Sequence, residues 1–229
     1  MKNLKLVGFV VLAALLACGT VAHASTIQYG PTLFDNGGSN YASGASGSFG
    51  IPQFDPILGT LTSVELIVNG NSYGGTNGFQ NTQAFSGEAT VNIGSSIHVS
   101  GPSSLVVLTN PTQVASGVVT AEVNTPPNFT GSDSIYLAGT TSTDTQSAIL
   151  YGGFVPYEGV GNVTFNFTSS LDEGHSATVS GISQSSPTLF NFTPTVIYTY
   201  TAVPEPSTFA LLGVGLIGLL GYARRKRAA

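Results

Sequence analysis

Between residues 25 and 203 the chain has no lysine and no arginine. Its six basic residues, Lys2, Lys5, Arg224, Arg225, Lys226 and Arg227, all sit in the two ends. Of its eleven carboxylates only Glu205 lies outside that interval, which leaves ten acids facing no lysine or arginine; the whole-chain charge of −5 conceals this. Several classes of function are excluded at once. Nucleic-acid binding needs cations to neutralise phosphate. Adhesion to an anionic membrane surface needs them too, and a developing anion in catalysis loses its usual Arg or Lys partner. Inside the interval each carboxylate must be solvated, or held by backbone N–H groups, hydroxyls or a bound cation. Tryptophan, a favoured stacking platform for sugars, is absent, and Cys18 is the only cysteine.

What stands at the start is the pattern of a secretory leader. Lys2 and Lys5 form a basic end, residues 6–17 an apolar stretch, and Ala22-His23-Ala24 a small-x-small cleavage site. Residues 1–24 are therefore expected to be a signal peptide, with the mature chain beginning at Ser25. Leu15-Leu16-Ala17-Cys18 offers a second reading, as a lipobox with Cys18 acylated. Cleavage after Ala24 leaves neither thiol nor disulfide, so an oxidising compartment is permitted but not exploited.

Residues 25–202 read as one all-β domain, a β-sandwich of jelly-roll-like type. The length suits a single core, and 29 glycines with 12 prolines stay below the level of low complexity. Residues 61–68 alternate through Val64, Leu66 and Val68 and are expected to stop at Asn69-Gly70, with a long polar loop over 71–83. Ala89, Val91 and Ile93 alternate until Gly94, and residues 97–99 resume beyond it. Further strands are expected at 105–108, 117–123, 134–138, 163–168, 177–182, 188–192 and 195–201, some ten in all. In the last, Val196, Tyr198 and Tyr200 share one face. No interior window has a helical period. Four matches to the glycosylation sequon, at Asn128, Asn162, Asn166 and Asn191, read as chance in a Thr-rich β protein.

Residues 203–229 carry the plainest instruction. Pro204, Glu205 and Pro206 precede an apolar run at 209–222, and Arg224, Arg225, Lys226 and Arg227 follow it. Proline fixes φ and lacks a donor, so the Glu205 region is expected to be extended and outside any helix. Ser207 or Thr208 then caps a helix that starts just before Phe209. The run covers about 21 Å as a helix, short of the roughly 30 Å hydrocarbon core. Snorkelling arginines and local thinning cover the difference, and the basic stop places the C-terminus in the cytoplasm.

This order of parts resembles the PEP-CTERM sorting signal of Gram-negative bacteria. The resemblance implies a substrate of exosortase, a membrane-embedded, cysteine transpeptidase-like enzyme. It is understood to cleave near the triplet and to release or transfer the outer portion, typically in species that make exopolysaccharide. On this reading Pro204, Glu205 and Pro206 are a site acted upon. The chain is then an inner-membrane-anchored precursor that crosses transiently through residues 209–222, bound for the cell surface or extracellular matrix. A plain single-pass anchor that stays in place is the alternative. Separately, Phe54-Asp55-Pro56-Ile57-Leu58-Gly59-Thr60-Leu61-Thr62-Ser63-Val64 resembles a segment of the choice-of-anchor (type E) exported domains. That resemblance implies no activity, and the segment reads as a turn feeding a strand.

Candidate chemistry is sparse. Asp172 and Glu173, within Leu171-Asp172-Glu173-Gly174-His175, could hold Ca²⁺ with backbone carbonyls, against the reading of an ordinary polar turn between strands. Zinc would need several nitrogen or sulfur ligands, and only His98 and His175 remain in the interval. No Gly-x-Ser-x-Gly elbow marks a serine nucleophile. No cofactor is expected. The leading expectation is a non-catalytic envelope or matrix protein with exosortase and exopolysaccharide as partners. A carbohydrate-binding module using Tyr73, Tyr151 and Tyr157 in loops is the second, and a polysaccharide-acting enzyme the third.

Overall fold

The computed structural model describes residues 24–35, 41–42, 44–122, 128–138, 141–203 and 206–228. Among these, thirteen strands are followed by one α-helix. The first seven strands are β1 (Ala24–Tyr29), β2 (Tyr41–Ala42), β3 (Ser46–Pro52), β4 (Gly59–Tyr73), β5 (Thr76–Asn81), β6 (Gly87–Ser100) and β7 (Val106–Thr109). Then come β8 (Thr112–Val119), β9 (Ser134–Ala138), β10 (Ser142–Leu150), β11 (Asn162–Ala177), β12 (Gly181–Ser186), β13 (Leu189–Ala202) and the helix α1 (Pro206–Ala228).

Two five-stranded sheets make the sandwich, as expected of an all-β domain. One has the order β1-β13-β4-β10 with β2 added to β13, the other β3-β11-β6-β7 with β8 added to β6. A third sheet, β12-β5-β9, completes it. Successive side chains on a strand point to opposite faces, and the inward set is apolar apart from a few hydrogen-bonded residues such as Ser95. Every odd position of β6 from Ala89 to Val99 is buried, as are Val163, Phe165 and Phe167 of β11. Facing them lie Val64, Leu66 and Val68 of β4 with Phe192, Val196 and Tyr198 of β13. Phe192 joins the layers, its ring centroid 4.9 Å from Phe167 and 5.9 Å from Phe49. The other half of β6 packs Ala89 and Val91 against Phe79, Val119 and Val179.

The first and third sheets are joined by two short chain connections. β4 passes into β5 through Gly74 and Gly75, whose φ angles of +62° and +73° suit glycine. At the same level β12 gives way to β13 through Pro187 and Thr188. Buried polar groups at this connection are satisfied in place: the Thr188 hydroxyl donates to the Gly94 carbonyl at 2.9 Å and lies 2.9 Å from the Ser95 hydroxyl. Pro111 interrupts an edge strand in the same way. Ile97 faces Thr109 and Gly94 faces Thr112 in one register, so β7 and β8 are a single strand broken where proline cannot donate.

The strands run longer than the sequence pattern predicts. β4 does not stop at Asn69-Gly70 but pairs them with Thr145 and Asp144 of β10, and the expected loop at 71–83 holds the end of β4 and the whole of β5. Gly70 serves packing instead of a turn: a Cβ there would lie 3.0 Å from Ile97 Cδ1 and collide with the Thr109 hydroxyl. Gly94 likewise lies inside β6, because the Pro111 and Thr112 backbone approaches it too closely for a side chain. The strand expected at 117–123 is β8, lying several residues earlier, and that expected at 177–182 divides between the end of β11 and the start of β12. The two expected at 188–192 and 195–201 merge into β13.

By its contacts the chain divides into two units. Residues 26–55 and 61–199 make the sandwich; Ala24, Ser25, residues 56–60, 200–203 and α1 belong to the second.

Candidate functional site

The tail begins where β13 ends. Ala202 is its last residue, and α1 starts at Pro206, earlier than the expected start near Phe209. Pro206 is thus inside the helix, at its first position, where a missing N–H costs nothing and the fixed φ is already helical. Pro204 and Glu205 lie outside the described residues. α1 has 23 residues and takes in Arg224, Arg225, Lys226 and Arg227, whose charges at its C-terminal end oppose the helix dipole favourably. Ile217, Leu219, Leu220 and Tyr222 leave their apolar side chains exposed. Among the described residues no helix is long and apolar enough to cross a membrane. A helix therefore stands where one was expected, but not one long and apolar enough to span, because its last turns are basic and only residues 209–222 are continuously apolar.

Within the second unit the chain before the triplet is held. Residues Pro56–Leu58 form a 3₁₀ turn, and the Leu58 carbonyl accepts the Val203 N–H at 3.1 Å. Gly59 follows, against Thr201 and Ala202; a Cβ there would lie 3.0 Å from Ala202 Cα and collide with the Thr201 carbonyl. The Phe54-Asp55-Pro56-Ile57-Leu58-Gly59 stretch, read from sequence as a turn feeding a strand, does feed β4, and its glycine admits the end of β13. At the other terminus Ala24 and Ser25 open β1, which is the neighbour of β13. Ala22 lies outside the described residues, as does Cys18.

Asp172 and Glu173 do not form a turn. They lie in β11, opposite Gly94 and Ile93 of β6. Adjacent strand residues face opposite ways, and their partners differ accordingly. Asp172 accepts from the Asn92 amide at 3.1 Å and the Thr112 hydroxyl at 2.8 Å, while Glu173 accepts from the Ser185 hydroxyl at 2.8 Å. The two carboxylates thus lie on opposite faces of β11, and the polar turn expected there is strand instead. Among the described residues no group of three or more His, Cys, Asp or Glu stands close enough to hold a metal ion. His98 is exposed on β6, and His175 stacks on Phe79 with centroids 5.5 Å apart.

The three tyrosines expected in loops separate as well. Tyr151 is exposed, 76 % of its surface open. Tyr73 is the last residue of β4, its hydroxyl 3.4 Å from Asn191 Oδ1. Tyr157 is fully buried in a 3₁₀ turn and donates to the Pro102 carbonyl at 2.7 Å; burial raises its pKa to about 12. Tyr198 donates to the Pro52 carbonyl, and its pKa is raised by burial first, then by Tyr157 and Tyr29. A sugar platform of three open rings is not formed, because two of them satisfy buried or half-buried polar neighbours. Grooves of about 260 and 210 Å³ flank Glu88–Thr90 of β6. Glu88 is among the described residues that line both of them.

A feature that sequence reading missed is the set of substitutes for cations. Asp133 and Gln80 are fully buried, with the Gln80 amide donating to Asp133 at 2.9 Å. The Gln80 carbonyl oxygen accepts the Asn128 and Phe129 N–H groups at 3.0 and 2.8 Å. Asp144 accepts the Asn110 N–H at 2.8 Å and the Gln146 amide at 2.9 Å.

The last strand, β13, is followed in the chain by the short basic-ended helix α1. The PEP-CTERM protein-sorting motif matches residues 202–227, so the chain carries that signal. No curated protein matches the sequence. Among solved structures, the infectious bursal disease virus Gt strain structure is 14 % identical, with 81 % of this chain and 39 % of that chain covered and a TM-score of 0.19. The cycloalternan-forming enzyme from Listeria monocytogenes is 13 % identical, with 78 % and 11 % covered and a TM-score of 0.21. Turnip yellow mosaic virus is 11 % identical, with 81 % and 99 % covered and a TM-score of 0.22. The chain thus spans well under half of the first two.

Proposed function

We propose that the protein is a non-catalytic component of the cell surface or extracellular matrix, delivered by its tail and associated with exopolysaccharide. The sorting motif at 202–227 carries this reading, since it indicates an exported, exosortase-processed precursor held at a membrane. Exposed apolar residues on α1 support a lipid-facing helix before processing, with residues 209–222 spanning a locally thinned bilayer. Processing breaks one peptide bond near Pro204, Glu205 and Pro206: the acyl half passes to water or to an acceptor amine, and the freed amine leaves with α1. The leader is removed after Ala24, and Ser25 then starts the first edge strand.

What remains is a sandwich of net negative charge whose exposed face is rich in Ser, Thr and Asn, suited to a hydrated, neutral polymer. The absence of basic residues between 25 and 203 makes a partner bound through its anionic groups unfavourable. The test follows the tail: a chain tagged after Ala229 is expressed with exosortase, alongside one in which Pro204-Glu205-Pro206 is replaced by three alanines. The tag is expected to be lost from the first and kept in the second. Retention of the tag by both would leave a plain anchor. Retention of the released domain on native exopolysaccharide tests the matrix assignment, and free passage over it would count against that part.

A further inference from the structure

The residues just ahead of the sorting triplet are not a free linker. Val203 N–H is committed to the Leu58 carbonyl at 3.1 Å, Thr201 and Ala202 belong to β13, and α1 begins at Pro206. Only Pro204 and Glu205 separate the last tied residue from the helix. A peptide-bond-cleaving enzyme takes its substrate as extended chain, through main-chain hydrogen bonds to residues on both sides of the bond. Here the upstream side is already engaged. Gly59 tightens the arrangement, because the absence of its side chain lets the strand end lie against the turn, and any Cβ would collide with the Thr201 carbonyl.

We infer that Leu58 and Gly59, where the 3₁₀ turn passes into β4, form a clasp on residues 201–203 that limits exosortase's access to the triplet, so that processing waits on release of this strand end. The inference rests on the processing reading and adds its control step. Opening requires breaking the Leu58–Val203 hydrogen bond and lifting the end of β13 from Gly59, a local fraying that leaves the sandwich intact. The clasp thereby couples the folded state of the exported domain to the rate at which its tail is removed.

Two full-length variants separate reach from recognition. In the first, Gly-Ser-Gly-Ser is inserted between Val203 and Pro204, leaving the clasp and the triplet intact and adding about 13 Å of chain. In the second, Gly59→Ala forces the clasp open without touching the tail. Each is followed by pulse–chase in exosortase-bearing cells, with the released and precursor forms resolved by mass, and its folding is checked by protease resistance of the sandwich. The insertion is expected to shorten the precursor's half-life about fivefold, the worth of roughly one hydrogen bond. Gly59→Ala is expected to act in the same direction, and to lose hydrogen-exchange protection at the Val203 amide. Equal half-lives for the wild type and the insertion overturn the clasp while leaving processing standing. Absence of a released form from every chain overturns both.

Discussion

At the residue scale, the domain shows how carboxylates are housed where no lysine or arginine is available. Asp133 takes the Gln80 amide, Asp144 the Gln146 amide and the Asn110 backbone, Asp172 the Asn92 amide and a hydroxyl, and Glu173 a hydroxyl. Neutral donors give weaker bonds than guanidinium but avoid desolvating a second charge. Gln80 also fixes the backbone at 128–129, so Gln80→Ala is expected to cost about 1–3 kcal/mol, read as a shift of the urea midpoint. Tyrosine gives a second residue-scale prediction. Tyr157 holds its proton to about pH 12 in the folded state, against 10.0 when exposed. Its contribution is then complete below pH 10 and lost as the pH rises through about 12. The melting temperature is expected to be flat from pH 8 to about 10 and to fall beyond it; a fall that begins near pH 8 would contradict the buried hydroxyl.

At the scale of elements, the glycines decide what sequence reading could and could not see. Gly70→Ala is expected to destabilise by about 1–3 kcal/mol through overpacking against Thr109 and Ile97. Gly152→Ala, with open space around its position, is expected to stay within about 0.5 kcal/mol. Equal effects in chemical denaturation would count against strand continuity through Gly70. The strands with clean alternation, such as 61–68 and 163–168, were legible because one face is buried and the other wet. Asn-Gly at 69–70 and Gly94 misled, since close packing and a turn ask for the same residue. β3 and β10 left little trace: both are edge strands, with too few buried side chains to write a period-two pattern. For the candidate site, the tail was legible because its parts are local in sequence. Asp172 and Glu173 looked like one turn only because adjacency along the chain conceals opposite faces of a sheet. The clasp was invisible for the opposite reason, as Leu58 and Val203 meet only in the folded chain.

For the whole molecule, ten acids and no lysine or arginine between residues 25 and 203 set the response to solvent. Self-repulsion has no opposing ion pairs with lysine or arginine, so the released domain is expected to gain stability as salt rises from about 0.01 to 0.15 M, where screening shortens from about 30 to 8 Å. A melting temperature that falls over that range would contradict the account. The first and last described strands, β1 and β13, are neighbours in the first sheet. The most direct measurement is the intact mass of the mature protein recovered from its native source, compared with the same protein from cells lacking exosortase. The account predicts a chain that starts at Ser25 and ends ahead of α1 in the first, and one that retains α1 in the second. A full-length chain with both ends in place, recovered from exosortase-bearing cells, would contradict it.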